Sequence, residues 1–112
     1  MKANFDLIDE DFDEATPVVH IISDSLGDTA SEVVNAAAGQ FPHESVRIER
    51  LAKVTSVEQV RHYFDEKTDP EIPMAVFHTI VDSNLRAEVR RELDRRAIPS
   101  IDLMGPAITV LS

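Results

Sequence analysis

Four short apolar runs, each divided from the next by a segment of helical periodicity, constrain this chain more than any other feature. Val18-Val19-His20-Ile21-Ile22 is β-branched and nearly continuous, which marks a central strand covered on both faces. Ala30, Val33, Val34, Ala37, Ala38 and Phe41 then recur at helical spacing until Pro42 ends them. Val46 and Ile48 alternate with Arg47 and Glu49 before Leu51, the pattern of a half-buried edge strand. Thr55 or Ser56, three residues before Glu58 or Gln59, can open a helix that buries Val57, Val60 and Phe64, and Asp69-Pro70 closes it. Met74 to Val81 is the second buried run, and Ser83 can cap a helix carrying Leu85, Val89 and Leu93. Ile98 to Leu103 makes a short last strand.

The order β-α-β-α-β-α-β requires right-handed crossovers, hence a parallel sheet with helices on both faces. The expected fold class is therefore α/β, a three-layer domain of about four strands in the order 2-1-3-4. Ligands of such sheets lie beyond the carboxyl ends of the strands, where the winding reverses between the first and third. That rule gathers Ser23 to Asp28, His78 to Asp82 and Asp102 to Pro106 before any motif is consulted.

Ser23-Asp24-Ser25-Leu26-Gly27-Asp28-Thr29 is the most informative of these segments. Gly27 permits a tight turn, Ser25 and Thr29 supply hydroxyls, and the helix that follows presents unpaired N–H groups to a small anion. The same residues also suit a purely structural role. Ser25 with Asp28, or Thr29 with Glu32, has the spacing of a capping box, and Asp24 can bond its own turn. The residues alone leave both readings open.

Several chemistries are excluded. With glycine only at Gly27, Gly39 and Gly105, neither G-x-G-x-x-G nor G-x-x-x-x-G-K-[ST] can be written. His20, His43, His62 and His78 contain no H-x-x-x-H pair, there is no G-x-S-x-G elbow, and the absence of cysteine removes disulfides and thiolate metal sites. The formal net charge of −10 repels phosphate backbones, so nucleic acid is not an expected ligand. No apolar run approaches the ~20 residues of a membrane span, no signal peptide opens the chain, and the expected location is cytoplasmic.

His78 and Thr79 interrupt a buried strand near the expected site, where a histidine can serve as acid, base or phosphate partner, or simply pack. His20, in mid-strand, reads as structural. Arg86, Arg90, Arg91, Arg95 and Arg96 share one helix and read as a solvated face, with Glu92 and Arg96 a favourable i,i+4 pair.

Residues 1–17 carry six acidic residues against Lys2, too polar to offset their ordering entropy, and read as a mobile acidic leader. Asp9, Asp11 and Asp13 alternate as in a calcium loop, but Glu14 stands where that loop needs glycine and His20 where it needs glutamate. At the other end Gly105-Pro106 starts a helix whose Ala107, Ile108, Val110 and Leu111 are apolar up to Ser112. About seven residues do not make a stable lone helix, so residues 18–112 read as the front domain of a longer protein.

His20-Ile21-Ile22-Ser23-Asp24-Ser25-Leu26-Gly27-Asp28-Thr29-Ala30, then Thr79-Ile80-Val81-Asp82 with Leu85-Arg86, then Asp102-Leu103-Met104-Gly105-Pro106, resembles the amino-terminal domain of the bacterial pyruvate, phosphate dikinase and phosphoenolpyruvate synthase regulatory proteins. The resemblance runs from about Val18 to the end, and its two motifs are specific in this order and spacing. It implies a bifunctional enzyme: an ADP-dependent serine/threonine kinase acting on a threonine of the dikinase or synthase, and an inorganic-phosphate-dependent pyrophosphorylase reversing that modification. ADP and phosphate would be substrates of the intact protein, gripped in part by a P-loop in a second domain that this sequence does not contain. Leu26 departs from the usual threonine of the family, and the acidic leader is not part of its pattern.

Phosphoryl transfer is largely positioning and charge neutralisation, and this domain has no lysine-bearing phosphate loop, so transfer by this chain alone is not expected. The candidate ligand-binding residues are Ser23, Ser25, Gly27, Thr29, His78, Thr79, Asp82 and Gly105, with Asp24 the candidate catalytic group and no metal ligands. The alternative is a non-catalytic module for docking the dikinase or for homodimerisation. A phosphoaccepting receiver domain fits poorly, because the first strand lacks an acidic pair and the third ends in His78-Thr79.

Overall fold

The computed structural model describes residues 16–41, 46–67 and 69–112. The acidic leader up to residue 15, with its aspartate alternation, lies outside the described residues, as does Pro42. The element order is β1 (Val18–Ser23), α1 (Asp28–Ala38), β2 (Arg47–Leu51), α2 (Val57–Asp65), β3 (Met74–Thr79), α3 (Ser83–Arg95), β4 (Ser100–Asp102) and α4 (Gly105–Leu111). The strands form one parallel sheet in the order β2-β1-β3-β4, as the periodicity predicts.

All six residues of β1 are buried because the sheet is covered on both sides. On one side Ile22 and Val76 pack with Val60 and Phe64 of α2 and with Leu85, Val89 and Leu93 of α3. On the other, Val19 and Ile21 pack with Ala30 and Val34 of α1, with Ile48 and Phe77 at the margin. Edge strand β2 keeps Arg47 and Arg50 exposed.

Four local details differ from the sequence reading, one of them the length of β4, which spans Ser100–Asp102 rather than Ile98–Leu103. No side chain caps α1; its N-cap is Gly27, in the left-handed conformation, so neither capping box proposed around Ser25 or Thr29 forms. The cap of α3 is Asp82 rather than Ser83: its carboxylate accepts from the Leu85 amide at 2.8 Å, because the helix begins at Ser83 itself, one residue earlier than a serine cap implies. Strand β3 ends at Thr79, two residues short of Val81. The Ser56–Gln59 capping box of α2 is present as read.

Candidate functional site

The turn after β1 is built from backbone outward. Ser23 Oγ accepts from the Ser25 amide at 3.0 Å, while the carbonyls of Ser23 and Ser25 accept from the amides of Val54 and Lys53 at 2.9 and 2.8 Å. The β2–α2 connection thus seats the turn from below. Gly27 has φ of 83°, and a Cβ there would stand 3.0 Å from Ile21 Cγ2, so the bend suits glycine alone. The Arg50 guanidinium clamps its outer side, donating to Leu26 O at 3.0 Å and to Asp28 Oδ1 at 2.9 Å.

This arrangement leaves the first-turn amides of α1, those of Asp28, Thr29 and Ala30, without an intrahelical partner or a side-chain cap. Asp28 and Thr29 open on a cleft of about 320 Å³ lined by Asp24 to Thr29, Thr79, Val81 and Met104, whereas Ala30 is buried behind them. Among the described residues the Thr29 and Thr79 hydroxyls have no partner. Asp24 does not bond its own turn; Oδ2 accepts from the Val81 amide, 57 residues away, at 2.8 Å and ties the β1 and β3 loops together. Its other oxygen carries no hydrogen bond among the described residues. Opposing charge is low, because the nearest further carboxylate, Asp28, is paired with Arg50.

His78 is adjacent to Thr79 in sequence but faces the other side of the sheet, since side chains alternate along a strand. It lies in register with Ile22 on one neighbour and Asp102 on the other. It is fully buried with both ring nitrogens unpartnered, and burial holds its pKa below the ordinary histidine value, with Asp102 opposing that effect. Asp102 is engaged elsewhere: Oδ1 accepts from the amides of Met104 and Gly105 at 2.9 and 2.8 Å, and Oδ2 is 3.6 Å from Arg86 Nε. Those amides hold its carboxyl below the usual range against the opposing effect of burial. Arg86 Nη1 also donates to the carbonyls of Ile80 and Val81 at 3.0 and 2.9 Å, which locks the β3 and β4 loops to each other. Gly105 is pressed against Asp102 and Arg86 so closely that no Cβ fits.

The nine sequence-predicted residues therefore fall into three places. Ser23, Asp24, Ser25, Gly27, Thr29 and Thr79 build or line the β1–α1 cleft. His78 and Gly105 line a second cleft on the opposite face, and Asp82 is occupied in capping α3. Sequence reasoning missed Arg50 and Arg86, which shape the two loops. Arg86 stands in the first turn of α3, where a cation opposes the helix dipole, and that misfit is the available signal of a fixed partner. The arginine face is also less solvated than read, since Arg86 and Arg96 side chains are each less than one-fifth exposed. Among the described residues no group of three or more potential ligands is placed to hold a metal ion.

Residues 19–112 match the family described as kinase/pyrophosphorylase. The chain is 34% identical over 95 residues to a protein of Carboxydothermus hydrogenoformans described as a pyruvate, phosphate dikinase regulatory protein, a span of 85% of this chain and 34% of that one. A protein of the same description from Trichlorobacter lovleyi is 36% identical over 94 residues, covering 84% of this chain and 34% of its own length. The chain thus spans about a third of the length of the curated relatives it matches.

Proposed function

This chain belongs to the kinase/pyrophosphorylase family, and we propose that it is the amino-terminal, substrate-side domain of a bifunctional regulator of pyruvate, phosphate dikinase or phosphoenolpyruvate synthase. In that reading the intact protein phosphorylates a threonine of its target with ADP as donor and removes the phosphate by phosphorolysis with inorganic phosphate. The β1–α1 turn takes the phosphate, pyrophosphate or phosphothreonine.

The observation that carries this reading is the uncapped first turn of α1, opened by Gly27 toward the switch point of the sheet. The amide donors of Asp28 and Thr29, with helix-dipole support, suit an oxyanion without a metal or a lysine. Asp24, fixed by one oxygen to the Val81 amide, has its second oxygen available to orient a hydroxyl or accept its proton. ADP is assigned to the P-loop of a second domain, because phosphoryl transfer needs charge neutralisation that this turn does not supply.

The test is a pyrophosphate titration of this chain followed by amide NMR, with an ADP-dependent labelling assay of purified dikinase by the intact protein. Saturable shifts at Asp28, Thr29 and Ala30, and a loss of labelling in Asp24→Asn, are expected. Unmoved amides together with full labelling by Asp24→Asn would remove the ligand role. A docking or dimerisation module is favoured by a different observation, the exposure of Val81, Ile101, Val110 and Leu111. It predicts that the intact protein without residues 1–112 loses its dikinase, whereas the site reading predicts retained binding with lost turnover.

A further inference from the structure

Among the described residues, the buried side-chain polar atoms with no hydrogen-bond partner are the two ring nitrogens of His78. Folded proteins leave few such groups unpaired, and an unpaired one in a cavity wall commonly marks a ligand or ordered water. The ring lines a cleft of about 740 Å³ between α3 and α4, bounded by β4, within the size range of small-molecule sites. Two cations border it. Arg86 is consumed by the Ile80 and Val81 carbonyls and by Asp102, whereas Arg90, one turn further along α3, has no hydrogen-bond or ion-pair partner among the described residues. Ser100 and Thr109 add hydroxyls, and Ile101 and Val110 add apolar surface that is 47% and 83% exposed.

We propose that this cleft binds an organic phosphate monoester, its phosphoryl group on the Arg90 guanidinium and, after a side-chain shift that uncovers the buried ring, on the His78 imidazole, and its carbon body against Ile101 and Val110. Guanidinium and imidazole donors form short, charge-assisted bonds to phosphoryl oxygens. The acidic neighbours do not close the site. Asp102 is held by two amides and Arg86, while Asp94, which also lines the cleft, stands one turn beyond Arg90 on the same face of α3, at the far end from Arg86. In the free protein, burial and the charges of Arg90 and Arg86 keep the imidazole neutral against the pull of Asp102. The described residues of α4 carry no titratable side chain, so a bound dianion is the group that turns the balance and draws a proton onto the ring. This site is on the opposite face of the sheet from the β1–α1 turn and does not depend on that reading.

Phenyl phosphate and inorganic phosphate are the probes, titrated separately into the chain while the His78 ring resonances and the Asp28 to Ala30 amides are followed by NMR. Phenyl phosphate is expected to shift the ring and to bind about tenfold tighter than inorganic phosphate, since its ring buries apolar surface. Arg90→Gln, which removes no hydrogen bond or ion pair among the described residues, is expected to weaken that response about tenfold. A ring that does not move, equal affinity for the two probes, or an undiminished response in Arg90→Gln overturns the proposal. Ring shifts without amide shifts would leave this proposal standing and count against the β1–α1 reading, which full labelling by Asp24→Asn would then remove.

Discussion

At the scale of single residues, two glycines are held by opposite causes. Gly27 is required by backbone conformation, and Gly105 by the Asp102 carboxylate packed where a Cβ would be. Gly27→Ala should therefore cost about 1–2 kcal/mol, from the left-handed φ and the Ile21 contact combined. A urea unfolding curve checks this, and a midpoint equal to that of the parent would show that the turn relaxes freely. Gly105→Ala should cost about 1–3 kcal/mol, because it displaces the carboxylate that two amides and Arg86 converge on. Circular dichroism during thermal unfolding measures that loss. The same displacement should release the β3 and β4 loops from each other, visible as faster hydrogen exchange at Met104 and Gly105.

Between elements, the pairing of α2 with α3 rests on apolar burial and on one acidic hub. Glu92, almost wholly buried, accepts from Arg95, from Arg96 at 2.7 Å and from Arg61 of α2 at 3.1 Å, while Arg96 also reaches Asp65. Arg95, Arg96 and Arg61 together lower its pKa to about 2, against the opposing effect of burial. A carboxyl depressed in the fold stabilises it fully above its unfolded value and loses that contribution as pH falls toward the folded one. The hub should thus contribute about 1–2 kcal/mol above pH 5, after allowance for the exposed arginines, and fade between pH 4.5 and 2. Glu92→Gln should lower the unfolding free energy at pH 7 and flatten its pH dependence in that window. An unchanged slope in the variant would show that other carboxyls govern acid unfolding. The hub has a second consequence: it converts a helix face that spacing alone presents as solvated into a fixed seam against α2. On the same side of the sheet, His20 Nδ1 lies 2.7 Å from Tyr63 Oη, and His20, Tyr63 and Phe64 meet edge to face.

For the whole molecule, two buried histidines set the response to mild acid. Burial lowers the pKa of both His20 and His78, so both stay neutral in the fold while the unfolded chain protonates them near pH 6.5. Because the unfolded state then binds more protons, stability should fall as pH drops below that value. A thermal midpoint in phosphate-free buffer should be higher at pH 7.5 than at pH 5.5, with the difference reduced in His78→Gln. Element order, strand order and the position of the cleft beyond the strand ends were legible in the sequence. Burial periodicity is a one-dimensional signal, and the rules of parallel sheets leave few ways to assemble β1 to β4. The separation of His78 from Thr79 was present in it too, because adjacent strand residues face opposite ways, although proximity along the chain groups them. The bond from Asp24 to the Val81 amide, the Arg86 bridge to Asp102 and the reach of Arg61 across to Glu92 were decided by the tertiary structure alone. Each depends on the distance between segments far apart in sequence, and that distance exists only once the sheet has brought their ends together.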